Sequence, residues 1–126
     1  MIKLKNGTIG LEQSPVLQAL AKLFNAPFKD YDVIVQVVAL QKEVSEKKVE
    51  FKSVMDKIVE AHGEKDDNGQ DTIKTDNEEF IKLLEKDIEL NVDKISITKQ
   101  DLKDSKIGLS SNEHIMLESF MEIKDK

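Results

Sequence analysis

The chain has no cysteine, no arginine and no tryptophan; among its 126 residues it has only two prolines, five glycines and two histidines, His62 and His114. Each absence removes a class of chemistry. Without a thiol there is no thiol nucleophile, no disulfide staple and no zinc site built on cysteines, so the fold has to rest on its apolar core. All 19 basic residues are lysine, a flexible point charge. The planar, bidentate grip of arginine on phosphate and carboxylate, which enzymes and nucleic-acid binders favour, is missing. No apolar run approaches the length of a membrane span, and Met1 to Lys5 carries no signal-peptide core. The expectation is a cytoplasmic protein with no membrane contact.

What is present is charge. Charged residues make up 35% of the chain and hydrophobic residues 39%, which is enough Leu, Ile and Val to fold one domain with a heavily solvated exterior. A single domain over residues 1–126 is expected, since nothing in the composition suggests a linker. The net charge of -6, with lysines interleaved among acids, repels phosphate backbones and anionic lipid. Nucleic acid is therefore not an expected partner.

Periodicity predicts the elements. Ile2-Lys3-Leu4-Lys5 alternates and stops at Asn6-Gly7, which reads as a short strand entering a turn. Ser14-Pro15 opens a helix over about 15–24 carrying Val16, Leu17, Leu20, Leu23 and Phe24. Asp30 caps a much longer helix that meets no Gly or Pro until Gly63. Val33, Val37, Leu40, Val44, Phe51, Met55 and Ile58 form its stripe. Ile34, Val35 and Val38 suggest that its first half is buried on several sides, whereas the second half is half-exposed.

Asn68-Gly69 marks a hairpin turn, and Thr75 to Glu78 matches a capping box before a helix over about 76–88. Leu90, Val92, Ile95 and Ile97 alternate out of phase across Asp93-Lys94, predicting one bent or bulged strand that pairs with the N-terminal one. Asp101-Leu102 can start a helical turn. Ser110 to Glu113 is a second capping box, opening a short helix through Met121 that leads to a charged tail. The fold class expected is α+β: a mainly helical single domain with one long central helix and a small antiparallel sheet of two strands or slightly more.

Three candidate sites stand out. Glu64, Asp66 and Asn68 precede Gly69 as calcium ligands do in an EF-hand, but the twelfth position is Thr75 instead of a bidentate glutamate, so an ordinary solvated hairpin is the better reading. His62 sits at a helix C-terminus and His114 in a first turn, each without a sequence-local partner, and capping or surface roles suffice. No catalytic, cofactor-binding or metal-binding residue is nominated. The third candidate is an interaction surface formed by Phe51, Val54, Met55 and Ile58, where the long helix outruns what a small core can cover.

The order of features around His62-Gly63-Glu64-Lys65-Asp66, Asn68-Gly69, Phe80 and the run Glu89-Leu90-Asn91-Val92-Asp93 with Ile95 and Ile97 resembles an uncharacterised family of small proteins encoded by tailed phages and prophages of low-GC Gram-positive bacteria. The likeness covers roughly residues 27 to 105, and the exclusive use of lysine agrees with an AT-rich genome. The resemblance implies a phage origin and brings no catalytic residues. The functional expectation is a non-enzymatic protein-interaction protein without a cofactor. Its place would be the bacterial host cytoplasm or the virion, most simply as a virion assembly or morphogenesis accessory. The alternative is an anti-defence or host-takeover protein that blocks a host factor. The partner is accordingly a phage structural protein or a host factor, with a homo-oligomer also in view.

Overall fold

The computed structural model describes residues 1–124. The chain runs β1 (Ile2–Lys5), α1 (Asn6–Gly10), α2 (Pro15–Asn25), α3 (Tyr31–His62), β2 (Glu64–Lys65), β3 (Asp71–Thr72), α4 (Glu78–Glu85), β4 (Asp87–Leu90), β5 (Ile95–Thr98), α5 (Lys99–Ser105), α6 (Ser111–Leu117) and β6 (Met121–Lys124). The architecture is α+β and dominated by α3.

Three two-stranded sheets replace the single sheet expected. β1 pairs antiparallel with β4, setting Ile2 against Leu90 and Leu4 against Ile88. β2 and β3 form the Asn-Gly hairpin, whose Gly69 has φ 79°, the left-handed conformation that glycine adopts without a Cβ penalty. β5 pairs parallel with β6, matching Ile95 to Met121 and Ile97 to Ile123.

The phase break at Asp93-Lys94 is therefore no bulge. The chain leaves one sheet after Leu90 and enters another at Ile95, and each strand keeps its own apolar side buried: Leu90, Ile95 and Ile97 are all fully enclosed. β6 corrects a second expectation, because the last helix ends at Leu117 and residues 121–124 are extended. Backbone pairing explains the switch: the Ile95 amide donates to the Phe120 carbonyl at 2.8 Å, and the ladder continues from there. The last two residues of the expected charged tail lie outside the described residues. The expected turn at Asn6-Gly7 is also replaced, by the short helix α1 with Ile9 buried beneath it.

Helix termini follow local chemistry closely. The Asp30 carboxylate accepts from the amides of Asp32 and Val33. Ser110 with Glu113, and Thr98 with Asp101, each complete a capping box. α4 departs from expectation: Asn77 caps it in place of Thr75, accepting from Glu79 and Phe80, and it spans only 78–85.

α3 buries Val33, Val37, Leu40, Val44 and Phe51, the first five members of its predicted stripe. Ile34, Val35 and Val38 are exposed, contrary to expectation. The reason is on the helix flank. Gln36 and Glu43, two turns apart, accept from the backbone amides of Ser96 and Asn91. These contacts fix the rotation of α3 against the β4–β5 region and turn the Ile34–Val38 side outward. The core collects Ile9, Leu20, Leu23, Leu40, Leu90, Ile95, Ile97, Leu117 and Phe120 around the buried side of the helix.

Candidate functional site

The second half of α3 carries the surface nominated from sequence, and Phe51 divides it. Phe51 is only 5% exposed. Its ring lies flat against α1, where a Cβ added to Gly10 would fall 2.2 Å from a ring carbon. Phe51 is thus a buried anchor and is corrected out of the accessible surface. Val54 is 48% exposed, while Met55 and Ile58 are half-buried.

Two shallow grooves lie on either side of buried Phe51, which contributes to both. The larger, about 630 Å³, is walled by Val54 and Ile58 of α3, Leu83 of α4 and Ile88 of β4, with Glu50, Glu79, Lys82 and Lys86 around it. Asn6 contributes to its floor although the residue is 6% exposed. The Asn6 amide donates to the Lys86 carbonyl at 2.8 Å, which ties α1 to the end of α4. The smaller groove, about 400 Å³, lies between Val49 and Met55 of α3 and the segment Gly10 to Gln13. Val54 and Ile58 therefore share one groove and Met55 belongs to the other.

Leu83, Ile88 and Asn6 complete the larger groove and were not nominated from sequence. Leu83 and Ile88 were legible only as members of their own elements. Asn6 carried a turn signal that hid its place beneath α4.

Charge around the groove is mixed and locally compensated. Lys82 lies 3.4 Å from Glu79, and Lys47 lies 3.8 Å from Glu50. The shifted titrations lie elsewhere. Hydrogen bonding and the charge of Asp87 raise the Lys5 ammonium above its ordinary value. The Lys22 ammonium, 2.8 Å away, and the Ser110 amide lower the Glu113 carboxyl.

The other candidates are built differently. In the Glu64–Asp71 turn the Asp66 carboxylate accepts from the amides of Asn68 and Gln70, so it holds the turn. Lys65 pairs with Asp71, and Lys74 approaches Glu64. Among the described residues no group of three His, Asp or Glu side chains is placed to hold a metal ion. His62 is exposed at the end of α3, and half-buried His114 lies with Glu118, Met121 and Ile123 around a cavity of about 230 Å³. No helix among the described residues is long and apolar enough to cross a membrane.

Compared with known proteins, the chain matches no family model, no curated protein and no solved structure.

Proposed function

We propose that this chain is a non-enzymatic, phage- or prophage-encoded protein-interaction protein that acts as a virion assembly accessory in the bacterial cytoplasm. Its larger groove takes an apolar helical segment of a phage structural protein. The observation that carries this reading is the groove itself: α3 contributes exposed Val54 and half-buried Ile58, α4 contributes buried Leu83 beneath them, and the rim is of mixed charge. A third amphipathic helix laid between the two helices would cover Val54 and Ile58 and leave its polar face in water. The phage part of the reading rests on the residue runs around His62–Asn68 and Glu89–Asp93. Surface acids paired with lysines, as in Lys5–Asp87 and Lys52–Asp56, favour assembly over a protein that imitates nucleic acid with a continuous acidic face.

The test compares capture by the native protein and by Val54→Glu from a phage-infected host lysate, with mass spectrometry of the bound proteins. Val54 is exposed, so the variant keeps its core. Capsid or tail proteins bound by the native chain and lost with Val54→Glu support the proposal. A host nuclease or defence complex in their place would establish the host-takeover alternative, and capture unaffected by Val54→Glu would remove the groove from the interaction.

A further inference from the structure

The outward face of the first half of α3 is an apolar stripe with no cover in the fold. Tyr31 is 76% exposed, Val35 47%, Val38 43% and Ile34 40%. Their spacing of three, four and seven residues places them on one side of the helix, opposite the buried Val33, Val37 and Leu40. Acids stand at one end of the stripe, Asp30 and Asp32, with Lys29 just outside the helix. Lys42 stands at the other end, exposed and with no ion pair among the described residues.

We propose that this face binds a second copy of the chain, α3 against α3, antiparallel about a two-fold axis close to Val35. In that arrangement Ile34 of each copy meets Val38 of the other. Lys42 of each is carried to the other's first turn, beside the Tyr31 ring and the Asp30 and Asp32 carboxylates. A lysine over a tyrosine face and beside carboxylates is attracted by both. A parallel pairing would instead set Asp32 beside Asp32 and Lys42 beside Lys42. The same patch serves both copies, as a two-fold interface requires.

The four side chains and their flanks bury on the order of 1,000 Å² in total, the lower end of specific interfaces, so the dimer is weak, with a Kd of tens to hundreds of micromolar. Val38 and Val54 are 16 positions apart, roughly 24 Å along the helix, so dimerisation leaves the larger groove open. This inference does not depend on what occupies that groove.

Sedimentation equilibrium across about 10 μM to 1 mM, a range bracketing that affinity, tests it. The mass rises from the monomer's 14.3 kDa toward twice that value. Val38→Asp, shown folded by circular dichroism, weakens association at least about 100-fold, because it buries a carboxylate in the contact. Because the chain has no cysteine, geometry can be read by oxidation. Val35→Cys, near the axis, forms an intermolecular disulfide. Tyr31→Cys does not, since antiparallel copies hold those positions roughly 12–15 Å apart, beyond disulfide reach. A mass that stays at 14.3 kDa throughout, or association unchanged in Val38→Asp, overturns the proposal. Equal cross-linking at both cysteine positions overturns its antiparallel geometry.

Discussion

At the scale of single residues, the contact between Gly10 and Phe51 positions both grooves. Gly10→Ala places a methyl inside the volume of the ring and is expected to cost about 3 kcal/mol, the upper range for overpacking. Phe51→Ala empties the same site and is expected to cost about 3–5 kcal/mol. The double variant should lose less than the sum, because removing the ring relieves the clash; urea unfolding of the four proteins in a double-mutant cycle reads this directly. Glu113 offers a second residue-level prediction. Its folded carboxyl titrates below the ordinary value of 4.5, so its stabilisation is present above that value and is lost as pH falls through the depressed one. Glu113→Gln should be less stable than the native chain at neutral pH, and the two melting curves should converge in acid. The capping role of Glu113 was legible in the sequence from its spacing to Ser110. Its pairing with Lys22, 91 positions away, was not, because nothing local couples α6 to α2.

Among the elements, α3 shows best what periodicity can and cannot decide. Asp30 at one end, Gly63 at the other and the stripe from Val33 to Phe51 follow from spacing and capping alone. The rotation of the helix does not. Val37 and Val38 are the same residue type side by side, and only the fold buries the first and exposes the second. Leu40→Ala is therefore expected to cost about 2–5 kcal/mol, as an enclosed leucine does. Val38→Ala should stay within about 0.5 kcal/mol, as surface changes do, when both are measured by chemical denaturation below the dimerisation range. Gln36 and Glu43 are the elements' missing signal: two polar side chains on one flank, whose partners are the backbone amides of residues 96 and 91. A sequence pattern that sorts residues by polarity assigns such side chains to water. The same blindness applies to the groove: the length of α3 relative to a small core puts Phe51 on its surface, whereas in the fold α1 covers it.

Over the whole molecule, order should be graded. The hairpin residues 64–72 are all exposed, and the Val33–Val44 turns of α3 pack on an enclosed core. Hydrogen exchange should therefore be fast for the hairpin amides and slowest for α3 residues 37–44, β4 and β5, with β6 protected along with β5 because the two share a ladder. Equal protection of hairpin and core would contradict that gradient. Both ends of α3, the capping box that opens α6, the Asn-Gly turn, the α+β class and the inward stripe of α3 depend on interactions within a few residues, so sequence by itself determined them. Which strands pair, the parallel partnership of β5 with β6, the conversion of a predicted helix end into a strand, and the outward face of α3 depend on segments 25 to 90 positions apart. Those were decided only when the tertiary structure brought together backbone groups that could satisfy one another, since every buried amide must find its acceptor somewhere in the fold.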